Sequence, residues 1–227
     1  MATIASDRIC SRSQLRSAQT ELIKAATYLA ARHYHGALAG NVSLRVSSGH
    51  ILCTRHGADK GALTADDLVI TDLDGNKVSG EGPPTSELNM HRAAYQARED
   101  VNGVIHAHPP TATAFAAASM PLDSLQLPEM LVFLGPVALV PYATPGTQQL
   151  ADALCQYVHN YDAFLLENHG ALTVGRTVRE AALRMELLEH NAQTTLHLRQ
   201  LGTPYRLSKE QLEPLLKYRK IMDPLGG

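Results

Sequence analysis

Apolar residues at Leu15, Ala18, Leu22, Ala25, Ala26 and Leu29 recur at three- and four-residue steps, the spacing of one helical face. Ser11 and Ser13 offer a start and Gly36 a stop, so an amphipathic helix is expected first. The period then changes. Val42 to Val46 and His50 to Thr54 are short β-favouring runs separated by Ser47-Ser48-Gly49, which predicts a hairpin. Leu68 to Thr71 is a third run, closed by the turn residues Asp72-Leu73-Asp74-Gly75. After a loop over Gly80 to Pro84, Thr85 or Ser86 is placed to cap a helix reaching Arg98, with Leu88, His91, Arg92 and Tyr95 at helical spacings.

The second half alternates between the two periods. Gly103 to Ala107 predicts a buried strand that Pro109-Pro110 stops at once, ahead of an alanine-rich helix over Thr111 to Ser119. A strand near Val137 to Val140 and a helix from Thr147 to His159 follow, then strands at Ala163 to Leu166 and Ala171 to Val174. A long helix starts near Thr177, carries Val178, Ala181, Met185, Leu188 and Ala192 on one face, and ends before Gly202. Lys209 to Tyr218 predicts a short last helix. Strands and helices interleave without a linker or repeat, so a single α/β domain over residues 1–227 is expected, with 202–227 as a C-terminal tail.

The length of 227 residues suits such a domain. With 20 Lys and Arg against 22 Asp and Glu, a net charge of −2 and no basic block, nucleic acid is not the expected partner. The apolar stretch from Met130 to Val140 is interrupted by Gly135 and Pro136 and falls short of the roughly 20 residues a membrane helix needs. The first residues lack the apolar run of a signal peptide, which points to the cytoplasm. Cys10, Cys53 and Cys155 are far apart with no C-x-x-C pair, and read as reduced thiols.

Histidine carries the candidate chemistry: there are 11 of them against three phenylalanines and no tryptophan. In VIHAHPP, His106 and His108 are two residues apart at a strand end, so both rings point to one face and are able to share a metal. The same pair would serve equally as histidines held by hydrogen bonds. His169, in LLENHG after another apolar strand, is a candidate third ligand. Three histidines leave an open position on zinc, as catalytic sites require. Glu87 stands at the start of a helix, where the macrodipole alone would favour a carboxylate. Gly40-Asn41 could offer N–H groups and an amide to an anion, or simply form a turn. His33 and His35 at the end of the first helix, and His91, His159, His190 and His197 on later ones, read as ordinary polar residues.

The ordered set AGNVS, TSE followed by HRAAY, VIHAHPP, PYATPGT and LLENHGALTVG resembles the class II aldolase/adducin family, from Leu15 to Leu201. The resemblance implies a three-layer α/β/α fold with a mixed, mostly antiparallel central sheet. It also implies a homotetramer with active sites at subunit interfaces. By motif, His106, His108 and His169 would hold a divalent metal, with Zn2+ the default and Mn2+, Ni2+ or Co2+ equally suited to three imidazoles. Glu87 would be the acid/base residue, able to approach the metal when no substrate is bound. The implied activity is a metal-dependent aldolase, a lyase cleaving a small anionic hydroxy-carbonyl substrate through a metal-stabilised enediolate. A decarboxylase of an oxo-acid or hydroxylated aromatic acid is the alternative. The epimerase branch places aspartate where this chain has Glu87, and a non-catalytic adducin-like domain would lack the ligand set.

Departures from the family pattern bear on the substrate. Where sugar-phosphate members carry a threonine, a Thr/Ser-Gly pair and two hydroxyl residues for the phosphate, this chain has Leu38, His56-Gly57 and Thr85-Ser86. Arg55, His56 and Lys60 in CTRHGADKG add polar and cationic groups able to meet a phosphate or a carboxylate, though Arg55 and Lys60 would equally be solvated loop charges. Asn41, Gly57, Thr85 and Ser86 complete the expected substrate contacts. The family's proton-donating tyrosine would fall near LPEMLVF, where Glu129 is the nearest polar residue. Tyr205 and Tyr218 are candidates to close over a neighbouring site.

Overall fold

The computed structural model describes residues 9–122, 127–202 and 207–221. Helix α1 (Arg12–Ala30) starts on a capping box: the Ser11 hydroxyl accepts from the Gln14 backbone N–H, and the Gln14 side chain accepts from the Ser11 N–H. It ends six residues before Gly36. His33 takes the left-handed conformation (φ 60°) and the Tyr34 N–H returns to the Leu29 carbonyl, so a histidine does what glycine commonly does at a helix end. His35 therefore lies in the following loop, where it is buried.

Eight strands form one sheet in the order β4-β3-β2-β1-β5-β8-β7-β6. They are β1 (Asn41–Ser47), β2 (His50–Thr54), β3 (Leu68–Asp72), β4 (Lys77–Ser79), β5 (Gly103–Ala107), β6 (Val137–Val140), β7 (Ala163–Leu166) and β8 (Gly170–Gly175). Among the described strands only β6 and β7 pair in parallel. The central strand β5 sits between β1, with Asn41 opposite His106, and β8, with Leu172 opposite His106.

Alternation along the strands builds two cores. Ile105 and Ala107 face α1, α3 (Pro110–Ala117) and the long α5 (Val178–Leu201), together with Leu22, Phe115 and Met185. Val104, Phe164 and Leu172 face α2 (Leu88–Ala97) and α4 (Gln148–Cys155), with Tyr95 and Leu154. The architecture is a three-layer α/β/α fold with a mixed, mostly antiparallel sheet. His106, between Ile105 and Ala107 in sequence, points to the α2 side.

Several elements depart from the hydrophobic pattern. The short edge strand β4 was not signalled by any apolar run. Met130–Leu134, where the pattern predicted no element, forms one wide turn closed by the Gly135 N–H on the Met130 carbonyl. Helix α4 stops at Cys155, short of His159, and α2 begins at Leu88 with Glu87 as its N-cap. The last helix, α6, runs Lys209–Ile221 and includes Pro214. Among the described residues, no helix is long and apolar enough to cross a membrane.

Candidate metal centre

Three histidines converge at the strand ends. His106 is the fourth residue of β5, and His108 follows the strand, held by its backbone N–H on the Tyr34 carbonyl at 2.8 Å. His169 is brought in by the tight turn Glu167-Asn168-His169 between β7 and β8. There Asn168 takes φ 53°, a left-handed conformation asparagine tolerates better than most residues. Gly170 completes the approach, because a Cβ on it would stand 2.4 Å from His108 Cδ2. The ring centroids lie 4.5–5.3 Å apart, and one nitrogen from each falls within 4.8 Å of the others.

Glu87 closes the group. Its carboxylate lies 3.2 Å from His106 Nε2 through Oε2 and 3.2 Å from His169 Nε2 through Oε1, while Oε2 accepts from Asn41 Nδ2 at 2.8 Å. The side chain makes no capping bond to α2; its polar neighbours are Asn41, His106 and His169.

These residues fit a divalent cation. His106 Nδ1 donates to the Ala171 carbonyl at 2.9 Å, which leaves a lone pair on Nε2. That lone pair faces Glu87 Oε2 and, at 3.0 Å, His108 Nε2. His108 Nε2 is able to donate to His106 Nε2 in one of its tautomers, but His106 Nε2 and Glu87 Oε2 are two acceptors 3.2 Å apart and repel unless positive charge lies between them. Protonation is an unfavourable way to supply it, because burial holds the imidazoles in the neutral form. His106 is pushed well below its usual value by burial and then by His169 and His108. His108 is lowered to about 4 by burial and His169. His169 is lowered by burial against an opposing pull from Glu87. Neutral imidazoles are the form that binds metal.

A cleft of about 420 Å³ opens beside this group, with Asn41, Glu87, His108 and His169 on its floor. Gly40 brings the loop to it with φ 77°, and a Cβ there would stand 2.4 Å from His35 Nδ1 and 2.8 Å from the His106 carbonyl oxygen. The sequence of residues 20–196 matches the family described as Class II Aldolase and Adducin N-terminal domain. The chain belongs to the class II aldolase/adducin family. It is 38% identical over 174 residues to L-fuculose phosphate aldolase of Methanococcus maripaludis, covering 77% of this chain and 93% of that protein. It is 33% identical over 187 residues to 3-oxo-tetronate 4-phosphate decarboxylase of Pectobacterium atrosepticum, covering 80% and 85%. A solved L-fuculose 1-phosphate aldolase superposes with a TM-score of 0.82 at 30% identity, over 93% of this chain and 98% of that one. This class II aldolase-type chain is thus an enzyme by family, with a histidine cluster suited to the divalent metal of that class.

The other residues singled out in the sequence reach the same cleft by different routes. Arg55, His56, Gly57, Lys60, Thr85 and Ser86 all line it. Arg55 is half-exposed and its charge is already met by Asp67, at 2.7 and 2.9 Å. Lys60 is not a solvated loop charge: it is 2% exposed, and its ammonium donates to the carbonyls of Leu38 and Ala58. Among the described residues it has no carboxylate partner in an ion pair. Burial lowers its pKa, against the attraction of Asp59 and Glu87. Leu38, which cannot donate from its side chain, contributes to the wall through the carbonyl that takes Lys60. Glu129 is exposed and outside the cleft of its own chain, as is Tyr218, and Tyr205 lies outside the described residues.

Sequence reasoning missed His91, which is fully buried under the site and bonds to Asn41 and Ser43. Its four-residue offset from Glu87, one helical turn on, was the available signal.

Proposed function

We propose that this enzyme is a metal-dependent aldolase that cleaves a carbon–carbon bond in a small anionic hydroxy-carbonyl compound. The observation that carries the reading is the Glu87 carboxylate at 3.2 Å from both His106 and His169, at the floor of the cleft. His106, His108 and His169 would hold the metal, with zinc the default for three imidazoles. A divalent cation there supplies positive charge at the substrate oxygen on which negative charge develops. Glu87 takes the hydroxyl proton of the departing half and returns a proton to the carbon left behind, as a general base and then a general acid. Asn41 holds the carboxylate in reach of both.

The anionic end of the substrate is assigned to the wall formed by His56, Gly57, Lys60, Thr85 and Ser86. Lys60 supplies the charge, since Arg55 is paired with Asp67. Phosphate satisfies this wall, and so does a carboxylate. A second copy of the chain completes the rim in the proposed homotetramer, a reading supported by Leu38, an apolar residue of the cleft lining that is 54% exposed in the single chain. The free thiols of Cys10, Cys53 and Cys155 accord with a reducing, cytoplasmic setting.

Decarboxylation is the second reading, favoured by the lack of a tyrosine near Leu127 to Phe133 and by the similarity to the Pectobacterium decarboxylase. Loss of carbon dioxide leaves no hydroxyl proton to exchange with a departing aldehyde, the task such a tyrosine would share, and Glu87 would protonate the carbon left behind. Zinc-loaded protein incubated with ketose 1-phosphates is expected to release an aldehyde that a reductase assay traps. Chelation of the metal, or His106→Ala, is expected to abolish the release. No aldehyde from any ketose phosphate, with carbon dioxide released from an oxo-acid phosphate, would overturn the aldolase reading in favour of the second.

A further inference from the structure

A column of buried polar side chains runs from the middle of α2 and β1 into the cleft and ends on Glu87. The Tyr95 and Ser43 hydroxyls are 2.8 Å apart, and Ser43 Oγ is 2.7 Å from His91 Nδ1. His91 Nε2 is 2.5 Å from Asn41 Oδ1, and Asn41 Nδ2 is 2.8 Å from Glu87 Oε2. Tyr95, Ser43 and His91 are each at most 2% exposed, so these groups depend on one another and on Asn41, 4% exposed at the edge of the cleft, for their partners.

The proton positions follow link by link from the valence of each group. A carboxylate only accepts, so Asn41 turns its NH2 group to Glu87 and its carbonyl oxygen to His91. That oxygen also only accepts, so His91 carries its proton on Nε2. Nδ1 is then a lone pair, to which Ser43 donates. The Ser43 oxygen is left to accept from Tyr95. Reversing any one link sets two donors or two acceptors face to face at 2.8 Å or less, and burial makes that costly.

The geometry points to His91 as a positioning residue for the proposed lyase reaction. By fixing the Asn41 amide, it aims one N–H at Glu87 and turns the other donor of the same NH2 group towards the cleft that Asn41 lines. A rotated Asn41 would present its oxygen to Glu87 and push the carboxylate from its place between His106 and His169. Among the described residues His91 does not line the cleft and makes no hydrogen bond to the three converging histidines, although it is near enough to His106 to act on it electrostatically. Its effect passes through Asn41. This inference rests on the lyase reading of the cleft, but its structural half is measurable without any substrate.

Nitrogen-15 spectra of histidine-labelled protein, with the His91 signals assigned by His91→Gln, test the tautomer in both metal-free and zinc-loaded samples. The native protein is expected to show His91 protonated on Nε2 with Nδ1 bare. Glu87→Ala and Asn41→Ala are each expected to move the Nε2–H line. A native His91 protonated on Nδ1, or a line unmoved by both replacements, overturns the inference whether or not a substrate has been found. With the substrate that native enzyme turns over, Ser43→Ala is expected to lower kcat about tenfold with KM within twofold. Ser43→Thr, which restores the hydroxyl, is expected to recover the tautomer and most of kcat. A Ser43→Ala protein that keeps kcat while its His91 tautomer shifts would overturn the positioning role. A native enzyme that turns over neither ketose phosphates nor oxo-acids would instead count against the lyase reading, and the spectra would still decide the lock.

Discussion

Lys60 is the residue whose charge and surroundings disagree most. It is 2% exposed and, among the described residues, bonded to the carbonyls of Leu38 and Ala58, where a cation without a carboxylate partner is costly to bury. Two carbonyl dipoles take two of its three N–H groups, Asp59 and Glu87 attract the charge without pairing with it, and an anion in the cleft would compensate it further. Arg55, next to it on the wall, lacks this property because Asp67 already pairs with it. Lys60→Met keeps the packing of the aliphatic stem and removes the charge. We expect it to raise the stability of the ligand-free protein by about 1 kcal/mol, read from the urea midpoint. We expect KM for the anionic substrate to rise about 10- to 100-fold with a much smaller change in kcat, the pattern of lost ground-state binding. A KM that stays put would remove Lys60 from the anion wall.

At the scale of elements, what the sequence discloses is set by how local the cause is. The α1 start was legible because Ser11 and Gln14 cap it within one turn, and β5 because four consecutive residues are fully buried on both faces of a sheet. The histidine cluster was legible because His106 lies near the end of β5, His108 just beyond it, and His169 in the turn between β7 and β8. The α1 stop was not, since His33 adopts a conformation that glycine would have announced. The burial of Lys60, itself named from the sequence, and the part played by His91 escaped for a related reason: they depend on carbonyls and amides 22 and 50 residues away in sequence. The Met130–Leu134 turn is another long-range product. Its i to i+5 closure leaves the Leu131 and Val132 carbonyls without regular helical partners, and Arg219 of α6 donates to both at 3.1 Å. Asp162 stands 3.5 Å from the same guanidinium while also meeting Arg98 and Arg184. One side chain thus ties the last helix to the body. Arg219→Ala is expected to speed tryptic cleavage on the C-terminal side of Gly202 several-fold while metal affinity stays unchanged; equal cleavage rates would show that other contacts hold α6.

For the whole molecule, the burial that readies histidines for the site also makes the fold sensitive to acid. His91 is lowered to about 3 by burial alone, and His35 to about 4 by burial, Lys60 and His108. Both are neutral when folded and regain the ordinary value near 6.5 when unfolded. Between pH 6.5 and the folded values the unfolded chain therefore binds more protons than the native one, so stability rises with pH through that window. The contribution is fully present above 6.5 and is lost as pH falls below it. At pH 5 each of the two costs about 2 kcal/mol relative to pH 7, or about 4 kcal/mol together. That is a large share of the roughly 5–15 kcal/mol by which domains are stable. His106 and His108 add to the same slope in metal-free protein, and a bound metal would raise stability at each pH while keeping that slope, because metal-held imidazoles also bind no proton. Urea unfolding of chelator-treated protein at pH 7, 6 and 5 should show the midpoint dropping at each step, and zinc should raise the midpoint at each pH without removing the drop. Replacing His35 with asparagine should remove one proton from the slope without touching Glu87 or the three converging rings. A midpoint that is flat from pH 7 to 5 would mean that these imidazoles already bind protons in the native state, and the neutral cluster would have to be abandoned with them.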